Sequence, residues 1–275
     1  MSFSILILTY QEEINIGECL DALSWCDDVV VLDSFSSDRT ADITREKKGV
    51  RLLQRKFDDF AGQRNYGMTE IKYKHPWVFH LDADERITPE LRAECEQTVK
   101  EDRHSGYFVS SKLMFRERWL KHSGMFPIYQ VRFVKTGEFT FKQHGHGQRE
   151  DMATRGLAYM KNAYLHYNFS KGIEEWKSRH AKYARQEAAE NLRLLESKDN
   201  EGAKLFSSDP IKRRRALKLL STRMPLRGML RFFYMYVIRL GVLDGSPGYE
   251  YCKMLADYER AIARNLKELK RQQKA

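Results

Sequence analysis

The run His80-Leu81-Asp82-Ala83-Asp84-Glu85 places two carboxylates two residues apart, directly after the apolar stretch Trp77–Leu81. In extended chain, residues i and i+2 point the same way, so Asp82 and Asp84 are expected to project together. Adjacent carboxylates repel unless a cation neutralises them. Hard divalent ions such as Mg²⁺ or Mn²⁺ suit such ligands and bridge to phosphate oxygens. The same residues also fit a solvated acidic turn ahead of a helix at Pro89. Two further polar runs follow apolar stretches, Thr9-Tyr10-Gln11-Glu12-Glu13 and Asp33-Ser34-Phe35-Ser36-Ser37-Asp38-Arg39-Thr40. Hydroxyls and carboxylates at Thr9, Tyr10, Glu12, Asp33 and Ser34 can hydrogen-bond a base and a ribose. Ser36–Asp38 also fits a helix N-cap, whereas Asp33 closes an apolar strand and needs a partner. In Gln63-Arg64-Asn65, Arg64 is either a cation for a diphosphate or plain surface charge.

These residues need elements to hold them. Phe3–Leu8, Asp28–Leu32, Val50–Gln54 and Trp77–Leu81 read as buried strands, and Asn15–Leu23, Asp38–Lys47 and Phe60–Glu70 as helices between them. Such alternation predicts a mostly parallel sheet covered on both faces, with ligands bound beyond the carboxyl ends of its strands. Gly106–Ser110, Gln130–Val134 and Tyr164–Phe169 read as later strands around a stretch rich in aromatic and basic residues. From Gly172 onward the pattern is helical, over Ile173–Ser197, Pro210–Leu240 (interrupted by Pro225) and Pro247–Lys270. The expected division is an α/β domain over 1–170, made of halves 1–85 and 86–170, and a helical region over 171–275.

The chain has 275 residues, ample for a sizeable core, and its 42% hydrophobic content excludes a disordered chain. Cys19, Cys26, Cys95 and Cys252 form no C-x-x-C pair, which excludes a zinc ribbon and a disulfide framework and makes reduced thiols the expectation. The start lacks a basic stretch ahead of a long apolar run, so no signal peptide is expected, and no stretch approaches the ~20 apolar residues of a membrane span. The net charge of +10 is concentrated at one end: residues 203–275 hold 17 Lys and Arg against 6 Asp and Glu. Arg223, Arg227 and Arg231 recur every four residues and share one helix face, after Lys212-Arg213-Arg214-Arg215 and beside Phe232, Phe233, Tyr234 and Tyr236. Basic and aromatic residues on an amphipathic helix predict a membrane-interface element over 205–243, contacting an anionic surface. The alternative is a helix whose apolar face packs inward, with its arginines in water.

The order Thr-x-x-Glu, Val-Leu-Asp-Ser-x-Ser-x-Asp-x-Thr, Gln-Arg-Asn and Leu-Asp-Ala-Asp-Glu resembles the N-terminal half of family 2 glycosyltransferases, most closely a bacterial subgroup with lipopolysaccharide-core glucosyltransferases. Tyr129-Gln130-Val131-Arg132-Phe133-Val134, Leu165-His166-Tyr167 and Gly241-Val242-Leu243-Asp244-Gly245 also look like features of that subgroup, and the resemblance spans residues 3–255. It implies a GT-A type, Rossmann-like mixed sheet with helices on both faces, followed by a basic helical segment. It further implies a metal-dependent, inverting transfer from a nucleotide sugar, with a UDP-sugar preferred. The acceptor would be a membrane glycolipid or nascent cell-surface polysaccharide such as lipopolysaccharide core, and the protein would sit in the cytoplasm, peripheral on the inner face of the cytoplasmic membrane. On that reading Asp33 bonds the base, Thr9 and Glu12 line the nucleotide pocket, Asp82 meets the ribose or the metal, Asp84 ligates Mg²⁺ or Mn²⁺, and His166 is a third ligand or a core histidine. An inverting displacement needs a general base. Glu150 comes first, then Asp151 and His146, because Gly145-His146-Gly147-Gln148-Arg149-Glu150 occupies the place of the subgroup's acidic motif. Many members have Val-His-Glu there, so the base stays open between these residues, and an ion pair of Glu150 with Arg149 is the competing role.

Two other classes fit less well. A nucleotidyltransferase would carry a Gly-rich loop with Arg and Lys after the first strand, and Thr9–Glu13 has neither glycine nor lysine. A nucleic-acid-binding protein is suggested by the pI of about 9.3. The chain lacks an RNA-recognition or helix-turn-helix signature, and its basic end alternates charge with bulky apolar residues, so no nucleic-acid partner is expected.

Overall fold

The computed structural model describes residues 2–144, 147–196, 222, 224 and 226–273. The chain divides into two compact units, residues 1–119 with 126–170, and residues 120–125 with 171–275.

The first unit is built on a mixed sheet. Its strands are β1 (Ser4–Thr9), β2 (Val29–Asp33), β3 (Val50–Gln54), β4 (Trp77–Asp82), β5 (Glu85–Arg86), β6 (Gly106–Phe115), β7 (Arg118–Trp119), β8 (Ile128–Lys135) and β11 (Leu157–His166). They lie in the order β3-β2-β1-β4-β8-β6-β11-β5, with β7 paired to β6. Strands β3, β2, β1 and β4 are parallel, and β8 runs antiparallel to both β4 and β6. The chain steps from β1 outward to β2 and β3, then returns to place β4 on the other flank of β1. That reversal opens a crevice at the carboxyl ends of β1 and β4, where Leu8 pairs with Asp82.

Alternation along the strands explains the layers. Ile5, Ile7, Val29, Val31, Trp77, Phe79 and Leu81 face one core, shared with α1 (Ile16–Asp21) and α4 (Pro89–Glu101). Leu6, Val30, Leu32 and Val78 face the other, shared with α3 (Phe60–Thr69) and the hairpin strand β9 (Phe139–His144). Helix α2 (Thr40–Glu46) contributes Ile43 to the first core. Helices therefore cover both faces, as the alternation of strands and helices in the sequence predicts. Trp77 stacks on Phe133 at 4.8 Å between centroids, and Phe3 meets Phe133 edge-on at 5.3 Å.

Several boundaries differ from the sequence reading. Strand β11 starts at Leu157 and ends at His166 rather than at Phe169, and β6 runs on to Phe115. Residues 147–150 of the Gly-rich segment lie on β10 (Gly147–Ala153), which pairs with β9 in an unforeseen two-stranded sheet.

The second unit contains α5 (Ile173–Glu196), α6 (Arg227–Phe233), a π-helical turn (Tyr234–Ile238), a 3₁₀ turn (Gly241–Asp244) and α7 (Gly245–Gln272). Ala184 and Ala188 of α5 pack on Ile262 and Leu266 of α7. Asp244 is buried and accepts hydrogen bonds from the backbone N–H of His122 (3.0 Å) and of Ser123 (2.7 Å) and from the Ser123 hydroxyl (2.6 Å). That clasp gives the Gly241–Gly245 signature a physical purpose, since it fixes residues 120–125 within this unit. Residues 210–221, 223 and 225 of the helix expected over Pro210–Leu240, with Lys212–Arg215 and Arg223 among them, lie outside the described residues. Its described end is short α-helix, then π-helix, then Leu240 in left-handed backbone.

Candidate active site

Strand β4 ends at Asp82 because Ala83 and Asp84 form a turn, and β5 then pairs antiparallel with the end of β11, Glu85 opposite His166. The extended geometry expected to align Asp82 and Asp84 is therefore absent, and the two carboxylates have different partners. Asp82 Oδ1 lies 3.0 Å from Arg64 Nη2, and its Oδ2 lies 2.8 Å from Arg132 Nη2. Arg132 also reaches Glu85 Oε1 at 2.6 Å, while Glu85 Oε2 accepts the Asp82 backbone N–H at 2.8 Å. Arg64, Arg132 and Glu85 are all buried.

This four-residue ionic cluster is electrostatically tense. Burial works against the Asp82 charge, but Arg132 and Arg64 outweigh it and hold the carboxyl below the usual carboxylate range. For Glu85 the balance is reversed: burial, aided by Asp82, pushes its carboxyl up to about 7 despite Arg132. Arg64 Nε and Nη1 and Arg132 Nε are buried without a hydrogen-bond partner. Desolvated guanidinium donors in this state are a ready match for anionic oxygens.

Asp84 Oδ2 stands 3.4 Å from His166 Nε2, and both side chains are partly exposed. Burial alone would lower the His166 pKa, but its hydrogen bond to Asp84 and the nearby carboxylates raise it. Among the described residues no group of three His, Cys, Asp or Glu side chains could hold a metal ion. Of this pair Asp84 supplies the oxygen ligand that a hard cation favours, with the His166 imidazole beside it able to serve Mn²⁺ as a nitrogen ligand. Asp82 does not fit that role here, because both of its oxygens are already engaged by guanidiniums.

Each residue of Gln63-Arg64-Asn65 has a separate use, because successive helical residues point about 100° apart. Gln63 donates to the Ser34 hydroxyl at 2.9 Å and accepts from Arg55 at 2.8 Å. Arg64 turns inward to Asp82 and is not surface charge. Asn65 brackets the Phe141 backbone, accepting its N–H and donating to its carbonyl, both at 2.8 Å, and so anchors the β9–β10 hairpin to α3.

At the ends of β1 and β2 the polar runs are stitched together. Asp33 is fully buried and accepts from the Thr9 hydroxyl (3.1 Å), the Ser36 N–H (2.9 Å), the Ser36 hydroxyl (2.5 Å) and Gln54 (3.2 Å). It meets its need for partners within the protein. The backbone N–H groups of Gln11, Glu12 and Glu13 donate to Ser36, Thr40 and Asp38 respectively, and Glu12 accepts from Asn15 at 2.6 Å. Tyr10 and Phe35 stand exposed beside this edge.

The remaining candidates lie on the hairpin. Glu150 is exposed, on β10 opposite Phe141. Asp151 falls where the register slips between Glu150 and Met152, and its carboxylate lies 3.4 Å from Lys142 Nζ, with both side chains half exposed. His146 lies outside the described residues. The structure thus gathers Arg64 and Asp82 in one cluster and Asp84 and His166 in a neighbouring pair, and leaves Glu150 and Asp151 on a separate hairpin. Sequence reasoning missed Glu85 and Arg132 as site residues. The available signal was an arginine inside the apolar strand Val131–Val134, which demands a buried counter-charge.

A mixed α/β sheet with ionised side chains collected at the carboxyl edge of its parallel strands agrees with the fold that the sequence resemblance implies. The chain belongs to glycosyl transferase family 2, whose family model matches residues 4–166. It is 30% identical over 96 residues to the lipopolysaccharide core biosynthesis glycosyltransferase LpsC of Rhizobium meliloti, a match covering 34% of this chain and 35% of LpsC. An uncharacterized glycosyltransferase of Rickettsia bellii is 29% identical over 117 residues, 41% of this chain and 39% of that protein. The matches thus span little more than a third of these relatives' length. Among solved structures, S. aureus TarS 1-349 in complex with UDP-GlcNAc superposes with a TM-score of 0.45 at 17% identity, covering 99% of this chain and 92% of that one.

Proposed function

We propose that the chain transfers a sugar, with inversion, from a nucleotide-sugar donor, a UDP-sugar by preference, to a membrane glycolipid or nascent cell-surface polysaccharide. The observation that carries this reading is the Arg64–Asp82–Arg132–Glu85 cluster beside the Asp84–His166 pair, at the crevice between β1 and β4. Arg64 and Arg132 offer unpartnered donors suited to diphosphate oxygens. Asp82 holds both guanidiniums in place and acts as a positioning residue. The stitched loops after β1 and β2 form the nucleoside side, with Asp33 fixing Thr9 and Ser36 and with Tyr10, Glu12 and Ser34 at its edge. Asp84 and His166 would hold Mg²⁺ or Mn²⁺, which when bound supplies Lewis-acid stabilisation of the departing diphosphate. Glu150 is the base that takes the acceptor hydroxyl proton, with Asp151, already near Lys142, as the second choice.

An acceptor of this kind places the enzyme on the inner face of the cytoplasmic membrane. No helix among the described residues is long and apolar enough to cross a membrane, so the attachment in this reading is peripheral. The name of LpsC concerns lipopolysaccharide core biosynthesis, which supports an envelope acceptor.

The deciding experiment measures binding and slow hydrolysis of UDP-, GDP-, ADP- and dTDP-sugars with Mn²⁺, Mg²⁺ or EDTA, on wild type and Asp84→Asn. One donor should be hydrolysed in a metal-dependent way, and the variant should lose about 100-fold, the scale of a few kcal/mol of charge stabilisation. A folded protein that binds no nucleotide sugar refutes the proposal.

A further inference from the structure

In the described part of the 205–243 segment, the arginines and the apolar residues have exchanged their expected places. Arg227 pairs with Glu259 of α7 at 2.6 Å and is only 13% exposed. Arg231 is half-buried, with its Nη2 3.6 Å from the Met125 sulfur. The outward flank is apolar instead. Leu226, Met229, Phe233 and Val237 recur at spacings of three to four, each with an exposed apolar neighbour in the turns that follow, and Leu240 and Leu243 extend the patch. Ten of the 18 residues from 226 to 243 are exposed large apolar side chains.

The helix cannot turn to hide them. Gly228 faces α7 so closely that a Cβ there would stand 2.5 Å from the Ala256 carbonyl oxygen, and a Cβ at Gly241 would stand 2.7 Å from that of Met235. Met235 points inward and is fully buried. Close backbone contacts and the Arg227–Glu259 pair therefore lock the apolar flank outward. Exposed large apolar side chains concentrated in one segment in this way mark an interaction site.

Charge selects the occupant. Residues 226–273 carry nine basic against five acidic side chains, so a second copy of this unit would oppose like charges, whereas anionic headgroups complement them. Exposed Phe233, Tyr234 and Tyr249 suit the boundary between headgroups and acyl chains. The helical stretch from Arg227 to Ile238 rises only about 18 Å, too short to span an apolar core of about 30 Å but suited to lying in its interface.

We infer that residues 226–243 dock on an anionic bilayer by inserting this apolar flank, while Arg227 and Arg231 act as internal supports rather than as lipid ligands. The inference rests on the reading that the protein works at a membrane, and it replaces arginine-led adsorption as the mode of attachment.

The test uses the full chain and vesicles of phosphatidylcholine with phosphatidylglycerol, comparing wild type with the double variant Ile238→Glu, Leu243→Glu and with Arg227→Met. Wild type should bind and keep most of its partitioning at about 1 M salt, where charges are screened beyond roughly 3 Å. The double variant should lose at least about tenfold in partitioning, since two buried aliphatic side chains are replaced by charges. Arg227→Met should partition as wild type does, with a lowered melting temperature. Binding abolished by salt, or a double variant that partitions as wild type does, overturns the inference. So does a wild-type dimer that the double variant makes monomeric while neither binds vesicles. Donor hydrolysis in solution is followed in parallel. Hydrolysis without vesicle binding refutes this inference alone, whereas vesicle binding without hydrolysis of any donor refutes the transferase reading alone.

Discussion

Arg132→Met and Glu85→Gln cut the same 2.6 Å bond from opposite ends, and their costs should be unequal. Arg132 donates to Asp82 at 2.8 Å and to Glu85 at 2.6 Å, and it is buried. Charge-assisted bonds of this kind contribute about 1.5–3 kcal/mol each. Removing one partner of a buried pair costs about 3–5 kcal/mol in all, because the partner left behind keeps its desolvation penalty. Arg132→Met should fall in that range, with Asp82 retained only by Arg64. Glu85→Gln keeps the shape and an acceptor for the Asp82 N–H, and it removes a charge that burial already disfavours, the carboxyl having been pushed up to about 7. Its cost at pH 7 should be about 1–2 kcal/mol, the scale of one imperfect buried hydrogen bond. Urea unfolding followed by circular dichroism measures both, provided the slopes match wild type. The reasoning fails if Arg132→Met costs under about 1 kcal/mol, or if Glu85→Gln costs as much as Arg132→Met.

Asp28 is buried, and although burial works to raise its pKa, the Ser4 hydroxyl, the Lys74 N–H and Arg51 together lower it. Its ionised form therefore stabilises the fold above the unfolded value of about 3.9, and that contribution fades as pH falls through the lower folded value. Asp28→Asn should be less stable than wild type at pH 7, and the gap in melting temperature should close in acid; a gap independent of pH contradicts this. Gly228→Ala would bring a methyl group 2.5 Å from the Ala256 carbonyl oxygen, so it should cost about 1–3 kcal/mol by forcing α6 off α7. An unchanged unfolding midpoint would mean that these helices are not in close contact. Glu150→Gln should leave donor binding intact and slow transfer to acceptor by about 10²–10⁴-fold; unchanged transfer moves the base elsewhere.

Strands β1 and β2 were legible because each is a near-continuous apolar run, which is how strands buried on both faces read. Asp33 and Asp82 were legible as positions, since polar residues closing apolar strands must have partners. Their partners were not legible. Arg132 reaches Asp82 from a strand 50 residues later in the chain, and no local pattern encodes that register. The alignment expected for Asp82 and Asp84 failed because the strand rule stops where the strand stops, at Asp82. In the second unit, periodicity grouped the arginines on one face, but it could not tell which face a neighbouring helix would claim. Gly228 decided that, by admitting α7 to the arginine side.

Asp84 and His166 are 82 residues apart, and only the pairing of β5 with the last residues of β11 puts them side by side. A chain still emerging from the ribosome carries its aspartate long before its histidine. At about 5–20 residues per second, several seconds separate the synthesis of the two. Throughout that interval the nascent protein lacks the pair proposed to hold the divalent ion. On the proposed reading, metallation at this pair waits until β11, the last strand of the sheet in chain order, lies between β6 and β5, which couples loading to the completion of the sheet.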